Sequence, residues 1–305
     1  MQCPSCGLSF ENGTRCPICG APLTSAGDEY LGLRVEGYEL VECVAASARA
    51  RVYRGVGEGG CVAIKVYDSH RFARFTRELS VLCEIVHPHV ARLLGWGRLE
   101  SGATYLASEW VQGQTLEHIL ARGPLAWTEA LRLARAIGVG LAAIHAAGVV
   151  HRDLKPSNLA LPDSGSPPVK ILDFGHSMAP WAERLTRSGA AVGTAAYMAP
   201  EQAVGAKIDL RADLYALGVI LYRTLTGVLP FTHESTFELA RMHVESPVVP
   251  PRARGADIPR AVDDLCMWLL AKVPDCRLPN THVLLLTLQS LNPGFVQEPA
   301  FEEVP

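Results

Sequence analysis

An excess of charge of either sign is missing from the sequence. Over 305 residues, 28 Lys and Arg stand against 31 Asp and Glu, a formal net charge of −3. So even a balance leaves no global electrostatic footprint for nucleic acid or anionic lipid, and neither partner is expected. No uncharged apolar run reaches the roughly 18 residues of a membrane-spanning helix. The Met-Gln-Cys-Pro start has no basic region followed by an apolar one, so a secretory leader is not expected. A soluble, cytoplasmic chain is the resulting expectation. Apolar residues are not in short supply: 49% of the chain is hydrophobic and 19% charged, which excludes a mostly disordered protein. The length allows two domains, or one two-lobed domain with a small appendage.

Cysteine is sparse over most of the chain and concentrated at its start. Five of the nine (Cys43, Cys61, Cys83, Cys266 and Cys276) are scattered at no ligand-like spacing and read as small core residues in a reducing compartment. The other four form CPSCG at 3–7 and CPICG at 16–20. A Cys-x-x-Cys turn presents two thiolates on one side of a tight loop. Two such turns supply the four sulfurs of a tetrahedral zinc site, at about 2.3 Å each. The pair resembles a small zinc ribbon over residues 1–20, with Cys3, Cys6, Cys16 and Cys19 holding structural Zn²⁺. Redox chemistry is the alternative for a single such turn, but no βαβ pattern surrounds either copy. Arg15 is the module's only basic residue, so it reads as a metal-stapled tag that holds a protein partner or packs on its neighbour. Residues 21–36, without clear period, read as a linker.

From Tyr38 the pattern is strand-like. YELVECV alternates, and RVYRG and CVAIKVY follow as further β-rich runs. A helical segment around 72–86 ends at His87-Pro88, because the residue before proline avoids the α region. Two more strand-like runs lie near 90–96 and 104–110. After Gly113 the chain turns helical. Leu133, Ile137, Leu141 and Ile144 form one apolar face of a long helix that stops before Gly148. Residues 214–225 are apolar nearly all round, as in a helix buried at the centre of a lobe. Ser235 to Glu238 is a capping box opening the next helix, and late helices fit 261–270 and 280–291. A small β-rich lobe (37–111) followed by a larger helical one (112–292) is an α+β arrangement with a cleft between them. Residues 293–305, ending EPAFEEVP, read as an acidic tail.

VAIK at 62–65, HRDLKPSN at 151–158, DFG at 173–175 and APE at 199–201 occur in that order. A lone Asp-Phe-Gly is usually a turn, and a lone buried Lys–Glu pair is usually structural. Four motifs in one order are far more specific. On these motifs, residues 37–291 resemble a eukaryotic-type serine/threonine protein kinase, and the Ala/Arg-rich composition suggests a bacterial one. The resemblance implies a bilobal protein-kinase-like fold, with ATP and Mg²⁺ (or Mn²⁺) as cofactors. It also implies transfer of the γ-phosphoryl group to a Ser/Thr hydroxyl of a protein substrate, with autophosphorylation.

Phosphoryl transfer needs an in-line nucleophile and neutralised phosphate charge. By the resemblance, Asp153 accepts the proton of the substrate hydroxyl and Lys155 reaches the moving phosphoryl group. Asn158 and Asp173 are hard oxygen ligands suited to Mg²⁺. Lys65 contacts the α/β-phosphates, with Glu78 as its partner, and Thr194 frames the catalytic loop. Ser108 to Val111 is the hinge, where Glu109 and Val111 act through backbone groups and Ser108 leaves a pocket behind the adenine open. Val52, Ala63 and Ala160 sandwich the purine. Glu201 and Arg277 form a buried ion pair, Asp213 holds the catalytic-loop backbone, and Thr186 or Ser188 takes an activating phosphate that pairs with Arg152.

Glycine is missing where the family's nucleotide loop has it. In VAASARARV at 44–52 the three positions fall on Ala45, Ser47 and Ala50. Forcing alanine into a left-handed conformation there costs roughly 1–2 kcal/mol. Arg49 and Arg51 either attract phosphate or are solvated loop residues. A pseudokinase or nucleotide-sensing scaffold is therefore the alternative to an active kinase.

Overall fold

Short alternating runs close the first part of the chain into a sheet, and long helices with apolar faces build the second. The structure, a computed structural model, describes residues 28–47, 50–67, 76–173 and 195–292, with the backbone alone at 76–78. It divides into two compact units. One takes the chain through Val86 together with Ala91–Trp110; the other takes His87–Val90 and the chain from Val111 onward.

The first unit carries β1 (Arg34–Val35), β2 (Tyr38–Ala46), β3 (Ala50–Gly57), β4 (Gly60–Tyr67), α1 (Thr76–Glu84), β5 (Leu93–Arg98) and β6 (Thr104–Glu109). The strands form one antiparallel sheet in the order β1-β2-β3-β4-β6-β5. Side chains alternate across a pleated sheet, so one face is core. Val62, Ile64 and Val66 of β4 are buried there with Leu40, Tyr53, Tyr105 and Ala107. The opposite face carries Val52 across from Lys65, and Ala63 across from Ser108. All four are only half-buried.

Residues 28–36 belong to this unit and are not a free linker. Tyr30 and Val35 are 5% and 3% exposed, and β1 extends the sheet by pairing with β2. Two strand residues are too few to show a period, which is why the sequence pattern is silent there. The β1–β2 turn rests on Glu36 and Gly37, with φ of 51° and 83°. Positive φ at both central residues matches the right-handed twist of the strands it joins.

The second unit carries β7 (Gly113–Thr115), α2 (Leu116–Leu120), α3 (Trp127–Ala146), β8 (Leu159–Pro162), β9 (Lys170–Ile171), α4 (Pro200–Ala203), α5 (Arg211–Thr226), α6 (Thr236–Glu245), α7 (Arg260–Leu269) and α8 (Thr281–Leu291). The three strands form a small antiparallel sheet, β7-β8-β9. Leu131, Ile137, Leu141 and Ile144 of α3 are fully buried, each stabilising by about 1.5–3 kcal/mol. α5 is buried on nearly every side and stops at Gly227, whose φ of 77° gives a left-handed cap. Ser235 Oγ caps α6 by accepting from the Glu238 amide.

The short strap His87–Val90 packs in this second unit. Val90 bridges Ile171, the Ile171 amide donates to the His89 carbonyl at 2.8 Å, and His89 Nδ1 donates to the Val169 carbonyl at 2.8 Å. Gly140 of α3 makes room for it, since a Cβ there would lie 2.9 Å from the His89 carbonyl oxygen. The strap thereby fixes β9, the strand that leads into Asp173.

Candidate active site

The segment HRDLKPSN follows α3 and runs into β8, and its backbone is held from a distance. Asp213, in the first turn of α5, is 1% exposed. Its Oδ2 accepts from the His151 amide and its Oδ1 from the Arg152 amide, both at 2.8 Å, and His145 Nε2 donates to Oδ2 at 2.8 Å. Three donors satisfy a buried carboxylate that would otherwise be costly. The arrangement holds Arg152 at a φ of 65°, a conformation that costs a non-glycine residue about 1–3 kcal/mol. Gln202 of α4 adds a bond to the Arg152 carbonyl at 3.0 Å.

Within the loop, Asp153 is 4% exposed. Lys155 Nζ donates to its Oδ2 at 2.9 Å, and Asn158 Nδ2 donates to its carbonyl at 2.9 Å and to Oδ2 at 3.2 Å. Because Nδ2 is taken up in this way, the Asn158 amide presents Oδ1 as its oxygen. The Asp153 amide donates to His151 Nδ1 at 3.3 Å, so the imidazole proton sits on Nε2 and is donated to the Leu172 carbonyl at 3.0 Å. The Leu172 amide in turn donates to the Asn158 carbonyl at 2.8 Å. These two bonds fix the residue before Asp173, which has a φ of 61°. Asn158 is thus tied through its carbonyl to Leu172, the residue that immediately precedes Asp173. Two hard oxygen donors fit Mg²⁺, which takes one or two protein groups and completes its shell with water and phosphate. Among the described residues no group of three or more His, Cys, Asp or Glu is placed to hold a metal ion.

Glu201 and Arg277 form a bidentate ion pair, with Nη1–Oε1 and Nη2–Oε2 both at 2.7 Å. Arg277 also donates to the carbonyls of Ala271, Lys272 and Arg211 and stacks over Tyr215. Beside it, Tyr215 Oη bonds His243 Nδ1 at 2.9 Å. His243 Nε2 lies near the Ala196 backbone without a well-formed hydrogen bond. Burial, with a smaller contribution from the Lys272 charge, lowers the His243 pKa to about 3, so the ring is neutral.

In the β-rich unit, Lys65 Nζ lies 5.3 Å from the centroid of the Tyr67 ring. Ala45 falls near the end of β2, Ser47 follows that strand, and Ala50 opens β3. The turn closes with the Ser47 amide donating to the Ala50 carbonyl at 2.9 Å and the Ala50 amide donating to Ser47 Oγ at 3.1 Å. Positive φ at a described non-glycine residue occurs at Glu36, Arg152 and Asp173. Ala45, Ser47 and Ala50 are therefore free of the left-handed strain their sequence suggests. Arg51 lies in β3, about a third exposed, and pairs with Asp28 at 3.3 Å. The Glu109 amide is committed to the Arg92 carbonyl at 2.8 Å. Ala160 is buried in β8, and Val111 begins the helical unit.

Cys3, Cys6, Cys16, Cys19, Thr186, Ser188 and Thr194 lie outside the described residues, as does the side chain of Glu78. The roles of His89, His145, His151 and Gln202 escape sequence reasoning. Their partners are mostly tens of residues away, and only the His87-Pro88 dipeptide hints at the strap.

An α+β chain whose helical unit holds an Asp–Lys–Asn loop against a strained aspartate has the fold and the loop of a protein kinase. The Protein kinase domain family model matches residues 38–286, and the chain belongs to that family. It is 35% identical over 283 residues to the serine/threonine-protein kinase pkn3 of Myxococcus xanthus, covering 87% of this chain and 52% of that protein. It is 39% identical over 267 residues to the DNA damage-responsive serine/threonine-protein kinase RqkA of Deinococcus radiodurans, covering 83% of this chain and 39% of that protein. The domain is thus of the bacterial serine/threonine protein kinase type. This chain spans about half or less of the length of these relatives. Among solved structures, it resembles Rad53 1-466 in complex with AMP-PNP, with a TM-score of 0.69 and 27% identity over 82% of this chain and 64% of that one.

Proposed function

We propose that the protein is an active, ATP-dependent serine/threonine kinase that phosphorylates a protein substrate and itself. The observation that carries this reading is the loop of Asp153. Its carboxylate is fixed by Lys155 and Asn158, and its backbone neighbours are clamped by Asp213. A base so held is in place to orient a substrate hydroxyl and take its proton, and Lys155 adds positive charge beside the transferred group. Asn158 and Asp173 are the residues that would hold Mg²⁺; when bound, the ion neutralises charge on the phosphates. Lys65, partnered by Glu78, would meet the α/β-phosphates. Val52, Ala63 and Ala160 would sandwich the purine, with backbone groups of Glu109 and Val111 reading its edge and Ala45 in the phosphate loop. Thr194 would frame the catalytic loop. The resemblance to Rad53, solved in complex with AMP-PNP, supports an adenine nucleotide as the ligand.

Incubation with labelled ATP and Mg²⁺, comparing wild type with Asp153→Asn, tests the reading. Transfer to a protein substrate and to the chain itself is expected for wild type, falling by about 10²–10⁴ in the variant. No transfer by wild type, with nucleotide binding intact, would favour a nucleotide-sensing pseudokinase. The glycine-free loop over 44–52 is what keeps that second reading alive.

The finer proposals concern segments outside the described residues. Residues 1–20 are read as a zinc ribbon held by Cys3, Cys6, Cys16 and Cys19, with a protein partner of its own. One zinc per chain, lost in the Cys6→Ala, Cys19→Ala double variant, is the expected metal analysis. Phosphate on Thr186 or Ser188 would pair with Arg152, whose buried Nε has no hydrogen-bond partner among the described residues. The balanced charge and the absence among the described residues of any helix long and apolar enough to cross a membrane support a cytoplasmic location. The domain limits proposed are 37–111, extended at its start by residues 28–36, and 112–292, with 293–305 as a tail.

A further inference from the structure

Asp28 lies ten residues before the start of the kinase family match, yet it is among the most enclosed carboxylates of the β-rich unit. Its side chain is 3% exposed. Both oxygens accept from the Tyr53 hydroxyl, at 2.8 and 2.9 Å, and Oδ1 also accepts from Arg51 Nη1 at 3.3 Å and from the Tyr30 amide at 3.2 Å. The Tyr30 ring stands edge-on to Tyr53 at 6.0 Å between centroids, and the Arg51 guanidinium lies 5.6 Å from the Tyr30 centroid. Burial and the neighbouring carboxylate raise the Tyr53 pKa well above its ordinary value, so the phenol remains a donor.

Both Arg51 and Tyr53 belong to β3, on the face opposite Val52. Arg51 follows Ala50, which closes the turn aligned with the family's glycine loop. A loop without glycines has less backbone freedom with which to adjust to a phosphate chain. Its fit then depends on where the two strands that carry it are held. Asp28 grips β3 from behind at Arg51 and Tyr53, the two residues of that face nearest the turn, and Tyr30 packs over them.

We propose that Asp28 is a positioning residue for nucleotide, through which the segment preceding the kinase domain sets the placement of the β2–β3 turn. This rests on the kinase reading above, with residues 45–52 lying along the nucleotide. A purely structural role makes a different forecast, and a double variant separates the two. Asp28→Ala alone strands the buried Tyr53 hydroxyl and lowers stability. Adding Tyr53→Phe removes the stranded group, so Asp28→Ala, Tyr53→Phe regains most of the wild-type melting temperature.

The test measures, on the full chain, the melting temperature, kcat, KM for ATP, and amide hydrogen exchange across residues 44–53. In the double variant we expect near-wild-type melting and kcat, KM for ATP raised about tenfold, a single charge-assisted hydrogen bond's worth, and faster exchange at the turn. Recovery of both KM and exchange along with the melting temperature would overturn the proposal. Should wild type transfer no phosphate, the kinase reading falls by itself. Exchange then decides about Asp28: faster exchange at the turn in the double variant supports the grip, and unchanged exchange overturns it.

Discussion

The catalytic loop of the helical unit and the β2–β3 turn of the β-rich unit are both short connections, yet they are fixed in contrasting ways. The catalytic loop is tied from many sides. Asp213 takes two of its amides, Gln202 one of its carbonyls, and His151 locks it to Leu172. Its supports all lie within the family match. The turn, among the described residues, closes on Ser47 and Ala50 and is backed by Asp28 from outside that match. A densely supported loop leaves little room for its residues to change. The turn has no glycine at the aligned positions and takes part of its support from a neighbouring segment.

The largest effect that would sharpen this contrast is on turnover. Lys65→Met and Asp173→Ala are each expected to lower phosphoryl transfer by about 10²-fold or more with the fold retained, read by labelled-ATP transfer beside circular dichroism. Near-wild-type turnover in either would break the site as drawn. Next comes stability. Truncating Glu201 or Arg277 alone leaves a buried charge unpaired, at about 3–5 kcal/mol, measured by denaturant unfolding. An equal loss from breaking the surface pair Arg241–Glu238 would show that burial is not what matters, since exposed pairs contribute about 0–1 kcal/mol.

A smaller effect is set by pH. His243 titrates near 6.5 when unfolded and at about 3 in the fold. Between those values the unfolded chain binds the extra proton, so its contribution to stability is whole above pH 6.5 and is lost as pH falls toward 3. Melting temperatures from pH 7 to 4 should therefore fall less steeply in His243→Gln than in wild type. The smallest effect is on selectivity. Ser108 shares a sheet face with Ala63 and is only half-buried. Ser108→Met is expected to weaken binding of bulky N6-substituted ATP analogues by about tenfold, or ~1.4 kcal/mol, with ATP itself little changed. Equal binding by both forms would remove Ser108 from that pocket.

The legible parts of the sequence were those whose signal is local. Alternation gave β2 through β4, the buried α5 announced itself by apolar residues on every side, and HRDLKPSN carried its own chemistry within eight positions. Asp213 and the Glu201–Arg277 pair were legible through family spacing. Asp28, Tyr30 and His89 were not, because their meaning lies in partners 25, 23 and 80 residues away, for Tyr30 a ring set edge-on to it. The absence of left-handed φ at Ala45, Ser47 and Ala50 is likewise a property of the folded turn. Residue type alone pointed the other way.

Asp213 has a consequence for how the molecule comes to be competent. Its bonds to His151 and His145 span 62 and 68 residues, so the geometry around Asp153 waits on one of the chain's longer loop closures. A nascent or partly folded chain in which α5 has not docked carries the residues of the catalytic loop without their arrangement. Chemical competence is therefore tied to the docking of α5 in the helical unit.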